Sequence, residues 1–101
     1  MRADVQNLFI GIHMLYRGHQ GDLTIHDMLP ELEQQGYKVG EREVKQELEH
    51  LTELNFLTSH SDGYSLTGTG INEFKEIQTM LQTLGDEVLQ SVHKVETEPS
   101  K

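Results

Sequence analysis

The sequence predicts a mainly α-helical domain with one small β-hairpin. Apolar residues recur at spacings of three and four along most of the chain, which is typical of amphipathic helices. Two short runs with strand-like alternation, residues 56–60 and 64–67, interrupt this pattern late in the chain. Ser61-Asp62-Gly63 separates the two runs, and Gly63 can take the positive φ that tight hairpin turns require.

Composition limits the class of protein. The 101 residues are enough for one domain with a modest core. The absence of cysteine excludes disulfides, thiolate metal sites and a cysteine nucleophile. No apolar run is long enough for a signal peptide or a membrane span, so we expect a cytoplasmic protein that does not bind membranes. The net charge is −9 and the pI about 4.9, whereas DNA-binding proteins usually present a basic face.

Two of the predicted helices have clear apolar stripes. The first covers residues 5–16, and we expect Gly18 and Gly21 to end it. The third covers residues 41–54. Its apolar stripe consists of Val44, Leu48, Leu51 and Leu54.

The second helix is shorter and its start is open to two interpretations. Residues 22–24 are a candidate short strand before it, and Gly36 is a fitting residue to end it. Thr24 as the N-cap would place Pro30 deep enough to kink the second turn. Asp27 as the N-cap would place Pro30 in the first turn, where proline is tolerated.

The last predicted helix covers residues 70–95, with Thr67 or Thr69 as its N-cap. It is longer than so small a domain needs, and its apolar residues follow a heptad seam typical of dimerisation helices. The predicted dimerisation residues are Phe74, Ile77, Leu81, Leu84 and Val88. The alternative is that the same stripe packs on the protein's own first helix. The predicted organisation is therefore a domain over residues 1–69, a dimerisation helix over 70–95 and a flexible tail over 96–101.

The order helix, short strand, helix, helix, hairpin, long helix resembles the winged helix-turn-helix of small transcriptional regulators of the PadR and MarR type. The resemblance covers about residues 5–90 and is carried by VKQELEHLTELNFL, by GYSLTGTG and by the last helix. The family pattern Leu-x-x-Leu-x-x-x-Gly-Leu is matched by Leu48, Leu51 and Leu57, with Asn55 close to the usual glycine. The wing pattern Tyr-x-Leu-Thr-x-x-Gly is matched by Tyr64, Leu66, Thr67 and Gly70.

The resemblance implies a function as well as a fold. In this class the third helix enters the major groove, the hairpin contacts the DNA backbone or minor groove, and a dimer reads a two-fold site. The Tyr-Pro pair typical of PadR recognition helices would fall near Lys45 and Gln46 and is absent here. The winged-helix resemblance is therefore more extensive than the resemblance to the PadR family itself.

Six residues are predicted to contact double-stranded DNA. Arg42 and Gln46 lie opposite the apolar stripe of the third helix with Lys45 at their flank, and arginine and glutamine suit guanine and adenine. Three further residues suit the DNA backbone: Lys38 before the helix, and Ser59 and His60 in the wing.

The acidity of the same helix supports an alternative. Five glutamates accompany only one arginine and one lysine between residues 41 and 53. They form either a solvated face with intrahelical pairs such as Glu41–Lys45, or a surface for a basic protein partner. In the second case the protein would be an antirepressor, a DNA mimic or an adaptor that does not itself bind DNA.

No enzyme, metal site or cofactor is predicted. The six histidines are scattered, and only His19–Asp22 and His26–Asp27 are close pairs in sequence. The segment LTGTG lacks the lysine and the spacing of a phosphate-binding loop. No spacing suggests a nucleophile with its base.

Overall fold

The computed structural model describes the backbone of residues 1–97 and the side chains of residues 1–90. The fold is mainly α: 71% of the chain is helical, in four helices with a small hairpin after the third. The elements in order are α1 (Ala3–Gln20), α2 (Ile25–Gln34), α3 (Glu41–Glu53), β1 (Leu57–His60), β2 (Gly63–Leu66) and α4 (Gly68–Thr97). This topology is compatible with a winged helix. Residues 98–101, most of the predicted tail, lie outside the described residues.

The first helix is longer than predicted, because Gly18 does not end it. α1 continues to Gln20, and the Gly21 N–H closes it by donating to the Arg17 carbonyl at 3.1 Å. Gly18 packs in its interior: a Cβ built there would lie 3.5 Å from Leu66 and 3.6 Å from Leu23. Tertiary packing therefore outweighs the weak helix propensity of glycine at this position.

The structure settles how the second helix starts. The Thr24 hydroxyl accepts from the Asp27 N–H at 3.0 Å, so Thr24 is the N-cap and Pro30 lies inside α2. Gly36 follows the helix at φ 96°, and the Tyr37 N–H donates to the Leu32 carbonyl at 3.1 Å. This arrangement is a Schellman motif, so the predicted role of Gly36 is confirmed.

The hairpin is smaller and more firmly attached than the sequence indicates. Leu57 pairs with Leu66 and His60 with Gly63, so the strands are antiparallel with a two-residue connection. Only Leu23 of the predicted strand at residues 22–24 pairs, through two 2.8 Å hydrogen bonds with Tyr64. Gly63 has φ 145°, and a Cβ there would overlap the Leu23 carbonyl. The loop before α2 therefore holds the hairpin from its outer edge.

The last helix starts two residues before its predicted beginning. Thr67 is its cap: its hydroxyl accepts from the Gly70 N–H at 2.9 Å and donates to the Asn55 carbonyl at 2.6 Å. Gly70 is buried, and a Cβ there would overlap the Phe56 carbonyl. One side chain thus joins the start of α4 to the end of α3.

A single core lies where α1, α2, α3, β1 and the first turns of α4 meet. Its buried members are Ile10, Met14, Leu15, Leu23, Met28, Leu32, Val44, Leu48, Leu51, Leu57 and Phe74. α4 has 30 residues and is therefore about 45 Å long, so it extends well past this core. The chain measures 59 × 28 × 21 Å as a result.

Candidate nucleic-acid interface

α3 separates a buried face from a polar one. Val44, Leu48 and Leu51 are buried, and the helix packs between α1 and α2. Arg42 and Gln46 are exposed on the opposite side, as predicted from helical periodicity. The N-terminal half of α3 thus carries donors that point to solvent, which is where recognition helices contact base edges.

The cations of this region are free of acidic partners. Lys38, Arg42 and Lys45 are exposed and form no ion pair among the side chains that the structure describes. The intrahelical pair Glu41–Lys45 expected from the sequence is absent there, consistent with the small stabilisation that an exposed pair provides. All three positive groups therefore remain available to a ligand.

The backbone of Lys38 is fixed although its side chain is exposed. Its N–H donates to the Gln6 side-chain carbonyl at 3.3 Å, and its carbonyl accepts from the Gln6 amide at 3.4 Å. This reciprocal pair ties the α2–α3 connection to α1. The sequence offered no signal for it, because the two residues are 32 positions apart.

Two of the five glutamates on α3 have local partners, and one of them is withdrawn from the polar face. Glu43 caps the helix, because its Oε1 accepts from the Gly40 N–H at 2.8 Å. The Glu47 side chain is 14% exposed and lies against α1 beside Gly11. Burial raises the pKa of Glu47, while the hydrogen bond and charge of His50 oppose the shift. Glu41, Glu43, Glu49 and Glu53 remain exposed.

The wing contains a polar cluster that sequence reasoning missed. His60 Nε2 lies 2.6 Å from Ser65 Oγ, and that hydroxyl donates to Asp22 Oδ1 at 2.9 Å. Asp22 therefore pairs with His60 at 3.7 Å, not with its sequence neighbour His19. Ser59 is exposed on the opposite face of β1. Strand pairing creates this cluster from residues far apart in sequence.

The five predicted dimerisation residues fall into two groups. Phe74 is 5% exposed and packs inside its own chain, with its ring centroid 5.3 Å from that of His19. Ile77 is half-buried against the same core. Leu81, Leu84 and Val88 are exposed. The stripe on α4 therefore packs on the protein's own α1 at its start and is uncovered beyond it.

Further apolar side chains are exposed beside that stripe. On α4 they are Met80 and Leu89, which the heptad spacing did not include. On α1 they are Val5, Leu8, Phe9 and Tyr16.

Two grooves flank the contact between α1 and α4. The first has a volume of about 430 Å³ and lies between α1, α2 and α4, where Phe9, Tyr16 and Phe74 form an aromatic wall. Arg17 and Glu31 pair at its edge at 2.9 Å. The second has a volume of about 390 Å³ and lies between α1, α3 and α4.

Within residues 1–90, whose side chains the structure describes, no three acidic or histidine side chains are arranged to hold a metal ion. Every helix in that range is too short or too polar to cross a membrane. No family model matches the chain, and no curated protein and no solved structure is significantly similar to it.

Proposed function

We propose that this protein is a dimeric winged-helix transcriptional regulator that binds duplex DNA through α3 and the wing. One observation carries the proposal. Lys38, Arg42 and Lys45 are exposed and unpaired around the N-terminal half of α3, while Glu47 is largely buried against α1. Glu41 and Glu43 are exposed there too, and Glu43 accepts a hydrogen bond from the Gly40 N–H. The net charge of the helix therefore overstates how acidic its contact face is.

The arrangement suits base reading in the major groove. The N-terminus of a helix carries partial positive charge, which adds to Arg42 and Lys45 on the same half of α3. Arg42 can bond guanine in two places and Gln46 can bond adenine, and each such contact discriminates by about 1–3 kcal/mol. Glu41 and Glu43 reduce this positive charge, whereas Glu49 and Glu53 occupy the other half, which would point away from the DNA.

Lys38 and the wing are assigned to the backbone. Lys38 is held beside α3 by its backbone bonds to Gln6, so its ammonium group can reach a phosphate without ordering a loop. Ser59 and His60 supply hydrogen bonds from the wing. Asp22 beside His60 weakens the attraction of the wing for phosphate, so Lys38 is the main backbone contact.

Dimerisation would double a small number of phosphate contacts. Leu81, Leu84 and Val88 form the exposed apolar stripe that supports a two-fold dimer through α4, as in PadR-type proteins. If Lys38 and Lys45 of both copies neutralise phosphates, the slope of log K against log salt is about −4. A regulator of this kind acts where DNA is accessible, in agreement with the cytoplasmic location expected from the sequence.

An electrophoretic mobility shift on the DNA upstream of the protein's own gene tests the proposal. At low salt we expect a retarded band that weakens as salt rises. Arg42→Ala should weaken binding about tenfold, because a guanine contact is lost. Lys38→Ala should weaken binding on any sequence and reduce the salt slope by about 2 for the dimer.

Lys75→Ala is the matched control, because it removes one exposed positive charge from α4 instead of from the proposed interface. It should leave the band nearly unchanged. Equal losses in Arg42→Ala and Lys75→Ala would contradict recognition by α3. So would the absence of any band at micromolar protein and low salt.

A second candidate function rests on the C-terminal half of α3. Glu49 and Glu53 are exposed there, and the whole chain carries a charge of −9. The corresponding proposal is an acidic interaction module, such as an antirepressor or adaptor, that docks on a basic protein. A missing DNA band together with capture of a basic protein by the wild type, lost in Glu49→Lys, would favour it.

A further inference from the structure

The groove between α1, α3 and α4 combines apolar walls with an acidic edge. Its apolar lining comes from Leu8 and Ile12 of α1, from Leu51 of α3 and Leu54 just after that helix, and from Ile77 of α4. Leu8 and Leu54 are exposed, so the apolar lining is open to solvent. A volume of about 390 Å³ is within the range of small-molecule pockets.

The carboxylates that line this groove make it negatively charged. Asp4, Glu47 and Glu73 line it, and no lysine or arginine is among the described residues that do so. Asp4 has an ion pair with Arg2 at 3.3 Å, but both side chains are largely exposed and the pair is weak. His50 also lines the groove.

Glu47 is the central group of the groove. Its side chain is 14% exposed, and His50 Nδ1 at 3.4 Å is its one side-chain hydrogen-bond partner among the described residues. Gly11 leaves room for the carboxylate, since a Cβ built on Gly11 would lie 3.2 Å from Glu47 Oε2. A carboxylate with little access to water and one long hydrogen bond gains most from a cation brought to it.

We propose that this groove binds a small apolar cation, an aromatic or alkyl body with a single positive charge, with Glu47 as the counter-ion. The apolar walls supply contact area for the body, and the three carboxylates exclude anions of the same shape. The site goes beyond the proposed DNA-binding function, and its occupancy is measured without DNA.

A second copy of this chain fits the groove less well than such a cation. The distal part of α4 is the apolar segment that remains exposed for association, and it carries Asp86 and Glu87. Placing those carboxylates beside Glu47 and Glu73 would bring like charges together. Charge complementarity thus selects a cationic occupant.

Isothermal titration of the full chain with tetraphenylphosphonium tests the proposal. Tetraphenylborate is the matched probe, since it has the same shape and the opposite charge. We expect the phosphonium to bind with one site per chain and the borate to bind at least about tenfold more weakly. Glu47→Gln should weaken phosphonium binding about tenfold, because the counter-ion is lost while the shape is kept.

Two further variants make the result specific to the groove. Glu33→Gln removes the same charge from an exposed position on α2 and should leave binding nearly unchanged. Leu54→Lys places a positive charge of the protein at the groove, where it repels a cationic ligand, and should abolish binding. Leu54 is exposed, so the substitution removes no buried side chain. No phosphonium binding, equal binding of both probes, or an equal loss in Glu33→Gln and Glu47→Gln would each overturn the proposal.

Discussion

At the scale of single residues, position along a helix does not fix the environment of a side chain. Glu43 and Glu47 belong to the acidic helix that argues against DNA binding, yet one is a cap and the other is enclosed by α1. The sequence predicted the exposed sides of Arg42 and Gln46 correctly, because these residues oppose the apolar stripe. It could not predict the enclosure of Glu47, which depends on Gly11 of another helix.

The raised pKa of Glu47 makes stability depend on pH. Burial favours the protonated carboxyl, so the folded-state pKa lies above the ordinary value of 4.5. The stability that this raised pKa contributes is fully present below pH 4.5. That contribution is lost as the pH rises through the folded-state pKa. Above the folded-state pKa, the ionised carboxylate is therefore destabilising.

Glu47→Gln should consequently raise the melting temperature at pH 7, and the gain should disappear near pH 4. Thermal unfolding followed by circular dichroism at both pH values, at one protein concentration, measures this. Glu33→Gln is the exposed control and should change little at either pH. A lower melting temperature for Glu47→Gln at pH 7 would show that the carboxylate is better stabilised than its burial implies.

At the scale of the elements, α3 and the hairpin are joined by one left-handed residue. Asn55 has φ 67°. The N–H of the next residue, Phe56, donates to the Leu51 carbonyl at 2.9 Å. The Asn55 carbonyl also accepts from the Thr67 hydroxyl that caps α4. The end of α3, the start of β1 and the start of α4 therefore depend on the same backbone conformation.

The effect of a substitution at Asn55 on the free energy of unfolding should depend on how readily the new residue adopts a positive φ. Asn55→Ala should lower the free energy of unfolding by about 1 kcal/mol, because a Cβ without a local polar group disfavours this region. Asn55→Gly should be neutral or stabilising. Denaturant unfolding measures both, with Asn72→Ala on the exposed side of α4 as a control expected to stay within about 0.5 kcal/mol. An Asn55→Ala variant as stable as Asn55→Gly would contradict the positive φ of residue 55.

The elements themselves were largely predictable and their ends were not. Apolar periodicity located all four helices, and Gly63 located the turn, because these signals are local. Gly18 was misread as an end because its packing against Leu23 and Leu66 is tertiary. Pro30 lies inside α2 because the Thr24 cap, with the burial of Met28 and Leu32, outweighs one missing hydrogen bond.

At the scale of the whole molecule, residues 80–90 of α4 are largely uncovered by the rest of the described chain. Beyond the core, Met80, Leu84 and Leu89 are each more than half exposed. Isolated helices are marginal in water and are stabilised mainly by packing an apolar face. In the proposed dimer, a second chain would cover these side chains.

Leu84→Glu should dissociate the proposed dimer. Burying a carboxylate at the centre of an apolar seam should weaken self-association at least about a hundredfold. Size-exclusion chromatography with light scattering should give the mass of two chains for the wild type and of one for the variant. Thr83→Glu is exposed on the other side of α4 and should remain dimeric. A monomeric wild type at high micromolar concentration would contradict the dimer.

Two glycines, one at the start of β2 and one in the first turn of α4, also constrain how this sequence can diverge. A side chain at Gly63 would overlap the Leu23 carbonyl, and one at Gly70 would overlap the Phe56 carbonyl. Both obstacles are main-chain atoms, which no compensating substitution removes. Homologues that have lost all other recognisable identity should therefore keep two glycines seven residues apart after the third helix. That spacing, rather than overall similarity, is the trait by which distant members of this lineage can be traced.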